Sequence, residues 1–225
     1  MLMLAQERAI KIAKLLQKNN PNPKTELNYS NETELAVAVM LSAQTTDKKV
    51  NEITLKLFKQ YKSWADFANA DLTTLQADIR GVNFHKGKAE RLIKAGKLIS
   101  HEFGGKLPRT IVELTKIPGI ARKTANVILQ ELWDIVEGIV TDTHVIRLSN
   151  RFGIVASTDA VKVEKELMKL LPKKYWRNYS GTVVLHGRYV CKARKPECEK
   201  CFLNEICQSS TLIKMAPRAL NSFSQ

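Results

Sequence analysis

Ile117-Pro118-Gly119-Ile120-Ala121-Arg122-Lys123-Thr124-Ala125 lies between two stretches of helical spacing and decides how this chain turns. Pro118 ends the first helix and Gly119 allows a positive φ, so the backbone can reverse in about four residues. The helix that follows, expected from about Arg122 to Trp133, starts with backbone N–H groups that the helix itself cannot bond. Such a helix start suits an anion, and DNA phosphate fits it without any base being read. Taken alone, the Pro-Gly pair also describes a plain helix–turn–helix connection.

Outward from this hairpin the helical signals continue in both directions. Upstream, Lys88 to Glu102 reads as a basic amphipathic helix stopped by Gly104-Gly105, and Thr110 with Glu113 forms a capping box for a short helix ending at Lys116. Leu4 to Lys18 has helical apolar spacing up to the breaker Asn19-Asn20-Pro21-Asn22-Pro23. Asn31 with Glu34 makes a second box before Glu32 to Ala43, and Thr46 caps a helix that buries Val50, Ile53, Leu57 and Phe58. A shorter pair is expected around Trp64 to Ala70 and Leu72 to Ile79. Downstream come Thr143 to Arg151, Asp159 to Leu171 and Lys173 to Val190, with Ile135 to Thr141 the one extended candidate. The expectation is an all-α fold of short helices, ending in a loose tail over residues 211–225.

Composition narrows the function classes. The 225 residues suffice for one large domain or two small ones, and 44% of them are hydrophobic, enough for a packed core. No apolar run approaches the roughly 18 residues that would cross a bilayer, and the charged start of the chain does not read as a secretory signal, so no membrane partner is expected. With 36 basic against 22 acidic residues, the net charge is +14 and the pI about 9.7, an excess that favours a polyanion such as nucleic acid.

The four cysteines, Cys191, Cys198, Cys201 and Cys207, all fall within 17 consecutive residues. Four soft thiolates so spaced suit a tetrahedral metal site, either zinc or the corners of a [4Fe–4S] cube. Only Cys198-x-x-Cys201 is a short knuckle, whereas zinc ribbons commonly bring two. Spacing leaves both metals open.

Four segments together resemble the endonuclease III family of helix–hairpin–helix DNA glycosylases: the hairpin Ile117 to Ala125, Leu41-Ser42-Ala43-Gln44-Thr45-Thr46-Asp47, Thr141-Asp142-Thr143-His144, and the C-x6-C-x2-C-x5-C run. They occur in the family's order and cover about residues 1 to 210. The resemblance implies a bifunctional DNA glycosylase and abasic-site lyase that removes oxidised pyrimidines from duplex DNA. It implies a helical barrel domain over 25–133, an iron–sulfur domain from 1–24 and 134–210, and an active cleft between the two. Lys123 would be the nucleophile and Asp142 its partner, with Cys191, Cys198, Cys201 and Cys207 holding a [4Fe–4S] cluster. Gln44 would fill the gap left by an extruded nucleotide, and Gly119, Ala121, Arg122, Thr124 and His85 would touch DNA. Lys192, Arg194 and Lys195, three cations on the loop between the first two cysteines, would meet phosphates. Double-stranded DNA with damaged bases or abasic sites is the implied partner, bound by a monomer in the cytoplasm at the nucleoid.

From the residues alone, other readings stand beside these. A lysine next to a hairpin reads as a phosphate contact, Gln44 as loop padding, and Asp142 as the cap of the helix beginning near Thr143. A neutral amine is needed for attack, and free lysine is charged near neutral pH, so desolvation, the helix start and Arg122 would have to favour the neutral form. A non-catalytic DNA-binding module would have no reason to keep Lys123 and Asp142 together. Adenine-specific relatives resemble this chain but carry a small hydroxyl residue where Lys123 stands. The chain also departs from the family pattern. Ala121 replaces a common glycine, Lys123 and Asp142 are 19 positions apart, one more than in many relatives, and Val82-Asn83-Phe84-His85-Lys86 replaces a damage-probing loop often containing Gly and Tyr.

Overall fold

Seven of the eleven described α-helices begin where a short polar side chain accepts from an amide that the helix leaves unbonded. In a computed structural model describing residues 4–212, Asn31, Thr46, Ser63, Asp71, Thr110, Asp142 and Asp159 all do so. The helices are α1 Ala5–Asn19, α2 Glu32–Ser42, α3 Asp47–Gln60, α4 Trp64–Ala68, α5 Leu72–Asp78, α6 His85–Glu102, α7 Ile111–Leu114, α8 Arg122–Trp133, α9 Thr143–Arg151, α10 Ala160–Leu170 and α11 Trp176–Tyr189. Single 3-10 turns stand at Lys173–Tyr175 and Cys198–Lys200.

The fold is all-α, as expected. Among the described residues the β structure is one isolated bridge between Arg80 and Val82, and Ile135 to Thr141, the extended candidate, runs as irregular chain. Its apolar residues Ile139 and Val140 are buried without a partner strand. Both sequence-level capping boxes close differently from the standard arrangement. Asn31 accepts from Glu34 N–H, but the Glu34 carboxylate reaches the N–H of Ser30; Thr110 accepts from Glu113 N–H and donates its hydroxyl to the same glutamate. The helix expected from Lys88 begins three residues earlier, at His85, and Phe84 precedes it in a left-handed conformation. The tail expected over 211–225 lies outside the described residues from 213 onward.

Chain contacts divide the protein into two units. One runs from Lys24 to Glu137; the other takes the chain up to Pro23 and from Gly138 on. In the first, α2 is buried along nearly its whole length, from Leu35 through Leu41, which makes it the central helix against which α3, α6 and α8 pack. Truncating a side chain there, such as Leu41, would cost about 2–5 kcal/mol. The second unit gathers α1, α9, α10 and α11 around Ile12, Leu16, Phe152 and Tyr179. The hydroxyl of Tyr179 pairs with Ser149 at 2.8 Å, which satisfies both groups in a core that excludes water.

Candidate functional site

Most of the candidate residues lie at three helix-terminal features: the start of α8, the start of α9 and the loop after α11. At the hairpin, Ile120 N–H donates to the Ile117 carbonyl at 3.0 Å, and Gly119 between them has φ +91°. A Cβ at Gly119 would come within 2.7 Å of Met40 Cε and 3.3 Å of Arg91 Cβ, so both conformation and space favour glycine. Ala121 is the N-cap of α8 with φ −84°, an ordinary conformation for a residue with a Cβ, and it supplies no side-chain cap. Replacing the family's glycine therefore leaves the backbone of the turn intact. Lys123 stands on the first turn of α8 and is exposed, as is Arg122, while Thr124 is half-buried. The protein alone does not bury Lys123.

The start of α9 is built the opposite way. Asp142 is its N-cap, and Oδ1 accepts from His144 N–H at 2.8 Å and Val145 N–H at 2.9 Å. One oxygen is thereby fixed, the carboxylate is held rigidly at the positive end of the helix, and the second oxygen keeps its lone pairs for other partners. Asp142 is half-buried. Burial pushes the His144 imidazole below its usual range, with Asp142 pulling the other way. His144 packs under α11, where a Cβ on Gly187 would lie 2.7 Å from its Nδ1. It is thus a neutral packing group, as its lone position near a helix start suggests.

Beyond α11 the cysteines line a common cavity of about 180 Å³, together with Arg151, Phe152 and His186. Among the described residues no three His, Cys, Asp or Glu side chains come together tightly enough for a single ion. Four thiols around one cavity can supply the four corner ligands of a [4Fe–4S] cube. Their surroundings suit ligand sulfur as well. Arg151 Nη1 donates to Cys191 Sγ at 3.2 Å, and His186 Nε2 lies 3.3 Å from Cys201 Sγ. Burial pushes His186 down to about 4, so the ring is neutral near pH 7 and can donate to that sulfur. Burial also raises the Cys201 thiol to about 11, an opposition to the thiolate that a bound metal centre offsets.

The cations of the cysteine loop differ among themselves. Lys192 Nζ is 2.6 Å from Glu197 Oε1, whereas Arg194 and Lys195 stand exposed. Gln44 follows α2 with φ +56°, and in the loop 82–86 the exposed aromatic is Phe84, 67% accessible, with His85 half-buried as the first residue of α6. The sequence reading placed His85 among the DNA contacts; its neighbour Phe84 is the more exposed of the two.

Comparison with known proteins gives these features a context. Residues 37–173 match the HhH-GPD superfamily of base excision DNA repair proteins, and residues 191–207 match the iron–sulfur binding domain of endonuclease III. The chain is 41% identical over 204 residues to endonuclease III of Synechocystis sp., covering 91% of this chain and 93% of that protein. It is 43% identical over 189 residues to endonuclease III of Bacillus subtilis, covering 84% and 86%. A solved structure of a trapped endonuclease III–DNA covalent intermediate superimposes with a TM-score of 0.88 at 36% identity, covering 94% of this chain and all of that one.

Proposed function

Because this chain belongs to the endonuclease III family within the HhH-GPD superfamily, and is a bifunctional DNA glycosylase and abasic-site lyase of base excision repair, we propose that it acts on oxidised pyrimidines through Lys123 and Asp142. Lys123 Nζ attacks C1′ of the extruded nucleotide, the bond from C1′ to the base nitrogen breaks, and the base leaves with a proton. The sugar ring opens to a Schiff base. Loss of a C2′ proton then expels the 3′ phosphate by β-elimination and cuts the strand. Asp142, its carboxylate fixed at the start of α9, assists the amine and stabilises the positive charge that builds on the sugar. The observation that carries this reading is a lysine exposed on the first turn of a helix that no side chain caps, directly after a hairpin shaped for phosphate.

The unit from Lys24 to Glu137 serves as the helical barrel domain and the other unit as the iron–sulfur domain. Gln44 occupies the space of the extruded nucleotide, and exposed Phe84 is better placed than His85 to press on the neighbouring base step. Gly119, Ala121, Arg122 and Thr124 form the phosphate turn, with Arg194 and Lys195 a stronger second contact than Lys192, which Glu197 neutralises. Cys191, Cys198, Cys201 and Cys207 hold the [4Fe–4S] cluster, which cross-links the last loop to the body of the protein. No helix of the described residues is long and apolar enough to cross a membrane, and the protein works as a monomer at the nucleoid. Borohydride trapping on a duplex carrying one thymine glycol tests the reading: a covalent complex in the natural protein that is absent in Lys123→Ala supports it. Base removal without trapping would make the enzyme monofunctional and overturn the assignment of Lys123.

A further inference from the structure

Lys88 is the exception on α6. Lys86, Lys94 and Lys97 face solvent, yet Lys88 is only 6% exposed. A buried ammonium persists only where its donors are met. Here Nζ donates to the carbonyls of Leu41 at 2.7 Å and Ala43 at 2.6 Å and to Thr45 Oγ1 at 3.4 Å, one acceptor for each of its three N–H bonds. Two of these acceptors belong to the C-terminal end of α2, where carbonyls lack helical partners and a cation is favoured.

What the three acceptors enclose is Gln44. Gln44 and Phe84 are two of the three described non-glycine residues with positive φ, at +56° and +58°. Such residues keep that conformation only where their surroundings hold them. Asn83 joins the pair: its backbone N–H donates to Thr45 Oγ1 at 3.0 Å, and its side-chain Nδ2 donates to the Gln44 carbonyl. The segment 83–88 therefore grips oxygens of Ala43, Gln44 and Thr45 without using the Gln44 amide group. Burial, reinforced by Arg91, pushes the Lys88 ammonium toward the neutral form, so its location works against its charge.

We propose that Lys88 is a positioning residue for nucleotide extrusion. With Asn83 it fixes the backbone on both sides of Gln44, so that the Gln44 amide is already aimed when the nucleotide leaves the stack, and it ties this loop to the one presenting Phe84. A loop ordered in advance does not have to be ordered at the moment of extrusion. The inference rests on the gap-filling role given to Gln44 above.

A double-mutant cycle of Lys88→Met and Gln44→Ala tests it, using a duplex with one abasic site opposite 2-aminopurine. Strand cleavage under single turnover and 2-aminopurine fluorescence are both read. Each single variant is expected to slow cleavage by about tenfold to a hundredfold. The double variant should be no slower than the worse single one, and all three should lose the fluorescence change on binding. If Gln44→Ala slows cleavage but the two losses multiply, or if Lys88→Met cleaves at the natural rate, the clamp is wrong while Gln44 keeps its role. If Gln44→Ala itself cleaves at the natural rate, the reading of Gln44 fails and the inference goes with it. Should Lys88→Met not fold, Asn83→Ala, at an exposed position, takes its place in the same cycle with the same outcomes.

Discussion

The helices α8 and α9 both begin at proposed site residues, and they begin in opposite ways. Ala121 offers α8 no side-chain acceptor, and the lysine of the first turn is exposed. Asp142 gives α9 two amide hydrogen bonds from a single oxygen. One helix start carries no side-chain cap, and the other is closed by a carboxylate of the protein itself, the one proposed above to assist the chemistry. A helix N-terminus can thus bind a ligand or hold a reagent still, and the residue at the N-cap decides which.

Five substitutions would break or sharpen this contrast. The largest effect is expected for Lys123→Ala, which should lower single-turnover excision by about 10⁴-fold or more, as loss of a nucleophile does. DNA affinity, measured by titration, should change far less. Asp142→Asn keeps an oxygen for the amides of His144 and Val145 but removes the charge. Excision should fall by about 10²–10³-fold with little change in Tm, as for other groups that stabilise developing charge. Asp142→Ala should add a loss of about 1 kcal/mol of capping, seen in thermal denaturation. An Asn variant as active as the natural protein would reduce Asp142 to a cap.

Gly119→Ala places a side chain at φ +91°. A cost of about 1–3 kcal/mol follows from that conformation, or a Tm lower by about 2–4 °C for each kcal/mol in a protein of this size. Binding to undamaged duplex should weaken in parallel. The smallest and most pointed change is Ala121→Asp, which makes α8 begin as α9 does. It should stabilise the protein by about 1 kcal/mol and yet weaken DNA binding several-fold, because the new carboxylate takes the phosphate's place. Tighter binding by this variant would show that the phosphate does not sit at the start of α8.

Much of the fold was legible because its signals are local. Thr46, Asp142 and Asp159 cap within three residues of themselves, so the starts of α3, α9 and α10 follow from neighbouring sequence. The boundaries that moved involve choices made elsewhere. α6 starts three residues early because Phe84 takes up a left-handed conformation, and the carboxylate of Glu34 prefers the N–H of Ser30 to that of Asn31. The family motifs are legible in the sequence, whereas the burial of Lys88 and the exposure of Phe84 are not. On a basic helix a lysine looks like solvent-facing charge, and the carbonyls that bury this one lie 45 and 47 residues away along the chain. Nothing in the spacing of α6 reports them.

The open start of α8 also has a consequence for how the protein exchanges hydrogen with water. The amides of Lys123 and Thr124 fall within the first turn, where the helix gives them no carbonyl and Ala121 gives them no side chain. Those of His144 and Val145 occupy the matching place in α9 but are already bonded. In heavy water the first pair should trade protons quickly and slow only when duplex is added, while the second pair should be slow throughout. On the proposed reading, α8 is a helix whose last hydrogen bonds are supplied by its substrate.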